Sequence, residues 1–119
     1  MNENMAMFAA TMLHSATNTH FFHFSTDSFS KHMALGAYYD EIVGLVDDLV
    51  EAYMGCYEKI NTFPSVYHQP KEPTKYLESL KAFVDDARKD LPQETQLQNI
   101  IDEIAQLIDS TLYKLKNLK

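Results

Sequence analysis

The sequence predicts an all-α protein, a four-helix bundle in which a long extended crossover joins the second helix to the third. Apolar residues recur at helical spacing in four separate segments. All three glycines lie in the first half of the chain, and three of the four prolines fall in one short segment. The chain has 119 residues, which is enough to bury a hydrophobic core, and we expect a single domain over residues 1–119.

A short polar turn separates the first two predicted helices. The first helix covers residues 4–24 and the second covers residues 28–60, after a Ser25-Thr26-Asp27-Ser28 cluster that supplies N-cap candidates. The inward positions of the first helix are Met5, Phe8, Met12, Ala16 and Thr19. The predicted core stripe of the second is Leu35, Tyr39, Ile42, Val43, Val46, Leu49, Val50, Tyr53 and Tyr57.

The predicted crossover, residues 61–72, has no periodicity and is rich in proline, which favours extended backbone. About 12 extended residues span roughly 40 Å, about the length of a 25-residue helix. Helices over residues 73–89 and 92–118 follow, with Pro92 in the first turn of the last helix. Their inward positions are Tyr76, Leu77, Leu80, Phe83 and Val84, then Leu97, Ile100, Ile101, Ile104, Ile108, Leu112 and Leu115. Four helices with one long crossover is the connectivity of ferritin-like bundles.

Composition and charge restrict the functional classes. A net charge of −7 argues against a nucleic-acid partner, because neutralising phosphates requires clustered Lys and Arg. No stretch has the roughly 20 apolar residues of a membrane span, and the first ten residues lack the basic start of a signal peptide. The single cysteine, Cys56, suits a reducing compartment, so we expect a cytoplasmic protein. Its acidity favours metal cations or a second copy of the chain as partners.

One side of the second predicted helix combines acids with every glycine in the protein. The glycines are Gly36, Gly44 and Gly55, and the acids are Asp40, Asp47 and Glu51. Glycine within a helix costs about 1 kcal/mol relative to alanine. One interpretation is a solvated acidic face with poor helix formers in it. The other is an interface between subunits, in which another backbone approaches the glycines closely.

Histidines and carboxylates between His20 and Glu51 are candidate metal ligands. A mixed set of imidazole and carboxylate suits iron, zinc or manganese. His20 and His32 should lie close together across the turn, whereas Asp47 and Glu51 lie over ~20 Å further along the helix at ~1.5 Å per residue. One subunit therefore cannot unite the four residues. A two-fold antiparallel pairing of the second helix would bring the histidines of one chain to the carboxylates of the other.

No Glu is followed three residues later by His, so the di-iron pattern of ordinary ferritins is missing. The segment from His20 to His32, followed by carboxylates along a long helix, instead resembles the Dps family of small ferritin-like proteins. That family forms dodecamers, oxidises iron and protects DNA. The resemblance implies a site at a two-fold axis, with His20 and His32 from one subunit and the partner's Asp47 and the partner's Glu51.

The sequence departs from the Dps pattern at one ligand. The acid expected one turn after the second histidine falls on Gly36, and Asp40 or His23 are the candidate substitutes. A basic N-terminal tail is also missing. The same segment looks similar to short phage-encoded proteins of unassigned function, which would place the protein in the host cytoplasm. The alternative hypothesis is therefore a non-enzymatic helical oligomer with a degenerate site. His14 and His68 are expected to be surface or capping residues.

Overall fold

The computed structural model describes residues 2–119, and within them the chain forms four α-helices and no strand. The helices are α1 (Asn2–Ser25), α2 (Phe29–Cys56), α3 (Pro73–Ala87) and α4 (Thr95–Asn117). A single 3₁₀ turn, Arg88–Asp90, extends α3. The all-α, four-helix prediction is confirmed. None of the helices in the described residues has the length and apolar character to cross a membrane.

Two predicted boundaries are wrong. Helix α2 ends at Cys56 and not at Ile60, because the chain leaves helical geometry at Tyr57 and the Ile60 side chain is buried. Helix α4 begins at Thr95, so Pro92 lies in the preceding connection and not in the first turn. There the Gln98 side chain donates a hydrogen bond of 3.0 Å to the Pro92 carbonyl, which holds the connection against the helix.

One hydrophobic core draws residues from all four helices. The inward face predicted for α2 is confirmed at five positions: Leu35, Ile42, Val46, Leu49 and Tyr53. The prediction is wrong at Val43 and Tyr57, which are exposed, and Tyr38 is fully buried in place of the half-buried Tyr39. Tyr38 is held there because its hydroxyl shares a hydrogen bond of 2.8 Å with the buried Ser15 hydroxyl of α1. Burial raises the pKa of the Tyr38 phenol, which stays neutral.

Helix α1 packs against α2 and α3, and α4 packs against the same two helices. Helices α1 and α3 are antiparallel, since Asn4 near the start of α1 bonds the Asp90 carbonyl and Asn18 near its end bonds Tyr76. The non-helical connection between α2 and α3 lies beside α1. It meets the start of α1 where Asn2 bonds Glu58, and it meets the fifth turn where Tyr67 bonds Asn18.

Adjacent residues on α2 test the corrected core face. Ile42→Ala should lower the free energy of unfolding by about 2–5 kcal/mol, because a fully buried side chain leaves a cavity. Val43→Ala, at a position 39% exposed, should change it by less than about 0.5 kcal/mol. Urea denaturation followed by circular dichroism measures both. Similar losses at the two positions would contradict the assigned face.

Glu72 caps the first turn of α3. Its carboxylate accepts hydrogen bonds from the backbone N–H groups of Thr74 at 3.0 Å and Lys75 at 2.7 Å. Partial burial by itself would raise the pKa of this carboxyl. The two backbone N–H groups and the Lys75 charge outweigh it, so the pKa lies below its ordinary value of 4.5.

Removing this cap should destabilise the protein in a pH-dependent way. Glu72→Ala should lower the free energy of unfolding by about 1 kcal/mol at pH 7. Because the folded-state pKa is depressed, the stabilisation is complete above about pH 4.5 and is lost as the pH falls through the folded-state pKa. The difference between the wild type and Glu72→Ala in urea denaturation should therefore shrink below pH 4.5. Glu103→Ala, at an exposed position within α4, is the control, and a pH-independent difference for Glu72→Ala would refute the capping role.

Candidate functional site

The turn between α1 and α2 brings the end of one helix onto the start of the next. The turn occupies residues 26–28, and the Ser28 hydroxyl caps α2 by accepting a hydrogen bond of 3.3 Å from the Lys31 N–H. A turn this short makes α1 and α2 close neighbours from the outset. His23 in the last turn of α1 consequently meets His32 in the first turn of α2.

His23 and His32 are joined by reciprocal hydrogen bonds, and we call this pair the histidine clasp. His23 Nδ1 lies 2.7 Å from the His32 carbonyl, and His32 Nδ1 lies 2.8 Å from the His23 carbonyl. The two half-buried rings stack with their centroids 3.6 Å apart and their planes 21° apart. The His32 ring thereby satisfies one of the carbonyls that the end of α1 leaves without a helical partner.

The clasp also determines which ring nitrogen is free. A carbonyl oxygen only accepts hydrogen bonds, so each Nδ1 must carry the proton, and the tautomers follow from the hydrogen-bond network. In the neutral rings both Nε2 atoms are then unprotonated acceptors. A histidine whose Nδ1–H is fixed on a carbonyl while Nε2 stays open has the arrangement of most metal-ligating histidines.

His20 lies beside the clasp, one turn earlier on α1. Its ring stacks on Tyr39 of α2 at a centroid distance of 4.1 Å and an angle of 17°. It also meets His23 edge-on, with centroids 6.1 Å apart. His23 therefore lies next to both of the predicted metal ligands, His20 and His32. Tyr39, predicted to be a core residue, instead forms the platform on which His20 rests.

Gly36 is the position that leaves room for His23. A Cβ atom added at Gly36 would lie 3.2 Å from both Cε1 and Nδ1 of the His23 ring. The residue that replaces the expected acid of the Dps pattern thus accommodates a third imidazole. Added Cβ atoms at Gly44 and Gly55 would meet nothing within 4 Å. The close neighbour of Gly36 is a side chain of the same chain, and the approach of a second subunit's backbone to the glycines stays a prediction.

The predicted carboxylate ligands lie away from the histidines. Asp40, Asp47 and Glu51 are exposed on α2, and within residues 2–119 none of them forms an ion pair. At ~1.5 Å per residue, Asp47 is roughly 22 Å along the helix from His32. No group of three or more His, Cys, Asp or Glu in the described part of the chain could hold a metal ion.

Large exposed apolar side chains lie close in sequence to the histidines, on both sides of the turn. Phe24 is 69% exposed, Phe29 is 76% exposed and Met33 is 55% exposed. Two of them, Phe29 and Met33, lie on the side of α2 that faces away from the core. These three exposed apolar residues are candidates for contact with another protein.

Sequence reasoning identified His23 only as a substitute ligand and missed its bond to His32. The signals for that contact are a histidine on each side of the polar turn and a glycine one turn after the second histidine. These signals are weak individually. The contact depends on how α1 and α2 rotate against each other, which the periodicity of either helix does not determine.

Comparison with known proteins identifies a family without assigning an activity. A family model described as a family of unknown function (DUF5856) matches residues 23–115, which is most of the chain. The match begins at His23 and includes α2, α3 and most of α4. No curated protein and no solved structure matches.

The two glycines should respond differently to alanine. Gly44→Ala should raise the free energy of unfolding by about 0.5–1 kcal/mol, because it gains helix propensity in open space. Gly36→Ala should give no such gain, because the clasp holds the His23 ring only 3.2 Å from the position of the new Cβ atom. Urea denaturation at low protein concentration measures both.

A double-mutant cycle isolates the cause. In a His23→Ala background, Gly36→Ala should stabilise the protein as much as Gly44→Ala does. Equal gains at Gly36 and Gly44 in the wild-type background would show that the His23 ring does not restrict position 36.

Proposed function

Because this chain belongs to the DUF5856 family, whose function is unknown, we propose its function from the geometry of the histidines. We propose a Dps-like protein of the ferritin-like superfamily that binds iron, or another divalent metal, between two subunits. The observation that carries this proposal is the histidine clasp, which fixes Nδ1 of His23 and His32 on carbonyls and leaves each Nε2 open.

The chain supplies imidazoles and carboxylates on separate parts of α2, so the complete site requires a second copy. An antiparallel pair of α2 helices related by a two-fold axis supplies both sets. The midpoint of Gly36 and Gly44 is Asp40, so a two-fold axis at Asp40 sets Gly36 against the partner's Gly44. The same register sets His32 within one helical turn of the partner's Asp47 and the partner's Glu51. A single register of the two α2 helices therefore brings the glycines together and brings the histidines to the carboxylates.

His23 supports the proposal where the Dps pattern lacks an acid. Its ring occupies the space beside Gly36, and in this proposal it replaces the missing acid once the partner's carboxylates complete the ligand set. Replacing a carboxylate ligand with a neutral imidazole reduces the negative charge around the metal. The reaction proposed for this site is the oxidation of Fe(II) by peroxide or oxygen, with iron as the substrate and an open coordination position for the oxidant.

The connection beside α1 supports the ferritin-like part of the proposal, since a non-helical crossover along the bundle is typical of that connectivity. A two-fold dimer is the minimum assembly, and a dodecameric shell is the larger one. A cytoplasmic location, in the host cell if the chain is phage-encoded, belongs to the same proposal.

A second candidate function is a non-enzymatic helical oligomer, such as a structural or regulatory phage protein. It is favoured by the exposed Phe24, Phe29 and Met33, which suit contact with another protein more than metal chemistry. In this case the histidine clasp serves to hold α1 on α2, and Gly36 marks a site that no longer binds metal.

Anaerobic titration with Fe(II), together with sedimentation to determine the oligomer, tests the metal site. The wild type should bind Fe(II) stoichiometrically as a dimer or larger assembly, and His32→Ala and Asp47→Asn should each weaken binding at least tenfold. Glu103→Gln, at an exposed position of α4, is the control and should leave binding unchanged. A monomer, or unaltered binding by His32→Ala, would refute the site.

Subunit mixing tests whether the ligands come from two chains. A His32→Ala dimer and an Asp47→Asn/Glu51→Gln dimer should each lack sites. Their mixture should recover about a quarter of the wild-type sites, because half of the dimers are mixed and each contains one intact site. Absence of any recovery, in a mixture proven to contain mixed dimers, would favour the non-enzymatic oligomer.

A further inference from the structure

A cavity lies between α1, α3 and the connection that precedes α3, away from the outer face of α2. It has a volume of about 310 Å³, which is the lower end of the ~300–1,000 Å³ range of small-molecule sites. Its apolar walls are Met7 of α1, Val66 of the connection, and Leu80 and Phe83 of α3. No acidic residue lines it within the described part of the chain.

A chain of hydrogen bonds reaches one polar end of this cavity. The Tyr67 hydroxyl donates to Asn18 Oδ1 at 2.6 Å, and Asn18 Nδ2 donates to the Tyr76 hydroxyl at 3.1 Å. Asn18 is only 2% exposed, so both ends of its amide are fixed by these two tyrosines. Each bond polarises the next, which makes the last hydroxyl in the chain a better donor.

The Tyr76 hydroxyl group is available as a hydrogen-bond donor. Its oxygen accepts from Asn18, and its own hydroxyl hydrogen has no acceptor among residues 2–119. Burial raises the pKa of Tyr76, so the phenol keeps that hydrogen at neutral pH. Tyr76 lines both the apolar cavity and the depression of about 280 Å³ at its mouth. A ligand that offers an acceptor at this point would complete the chain of hydrogen bonds.

The mouth of the cavity is basic, although the protein as a whole is acidic. Lys71, Lys75 and His68 line it, and within residues 2–119 neither lysine forms a salt bridge. Glu72 is the one acid there, and its two oxygens already accept the backbone N–H groups of Thr74 and Lys75. The charge left for a ligand at the mouth is therefore positive.

We propose that this cavity binds a medium-chain fatty acid. The alkyl chain lies against Met7, Val66, Leu80 and Phe83, and the carboxylate lies at the mouth, where it accepts the Tyr76 hydroxyl hydrogen beside Lys75. A carboxylate matches both the open donor and the positive charge, and an alkyl chain matches the apolar walls. The site is independent of the proposed metal function, because it is built from α1, α3 and the connection and not from the outer face of α2.

Isothermal titration calorimetry with sodium decanoate, below its micelle concentration, tests the site. We expect saturable one-to-one binding that tightens about three- to fourfold for each methylene from hexanoate to decanoate. Decanol should bind at least tenfold more weakly, because it lacks the charge that the basic mouth recognises. Decanol binding as tightly as decanoate, or no saturable binding of decanoate, would overturn the proposal.

Two variants, each compared with the wild type by urea denaturation, separate this site from nonspecific uptake. Tyr76→Phe should weaken decanoate binding about ten- to a hundredfold by removing the donor, whereas Tyr113→Phe, on the exposed side of α4, should have no effect. Val66→Asp, at a position 75% exposed, should abolish decanoate binding by placing a like charge beside the alkyl chain, and circular dichroism checks its fold. Decanoate binding unchanged in both Tyr76→Phe and Val66→Asp would refute the site. Fe(II) titration of Val66→Asp should match the wild type, so failure of either proposal can be told from failure of the other.

Discussion

The reciprocal bonds between His23 and His32 are the constraint on which the rest of this site depends. Each ring donates Nδ1–H to the other residue's carbonyl, so the end of α1 and the start of α2 are tied twice within a few ångströms. That tie forms in the same rotation of α2 that turns Tyr38 into the core and leaves the acids Asp47 and Glu51 exposed.

The two faces of the molecule differ in their chemistry. On the outer face of α2, between Lys31 and Lys59, every charged residue is acidic, so this surface suits cations or a partner that brings its own ligands. On the opposite side, the connection lies beside α1 and leaves an apolar cavity with a basic mouth at Lys71 and Lys75. The proposed cation site and the proposed anion site therefore lie on different sides of α1.

Much of the fold could be predicted because helical periodicity records which side of each segment is apolar. Residues such as Ile42, Val46 and Ile104 are inward on any wheel drawn for their helices, and they are fully or almost fully buried. Val43 was predicted wrongly because it lies at the edge of the apolar arc on the helical wheel. At that edge, burial depends on whether a neighbouring helix covers the residue. Pro92 was predicted wrongly because a proline suits a first helical turn and a preceding loop equally, and the Gln98 side chain selects the loop here.

The sequence by itself determined that the chain forms four helices and where along the sequence the main connection lies. It also determined that the histidines and carboxylates are too far apart along α2 to meet in one subunit. These follow from local spacing, which is a property of the chain alone. Only the tertiary structure decided that His23 joins His32, that Gly36 makes room for a ring, and that Asn18 links two tyrosines at a cavity. Those contacts bring together residues from different elements, so their geometry depends on how the helices rotate and pack against one another.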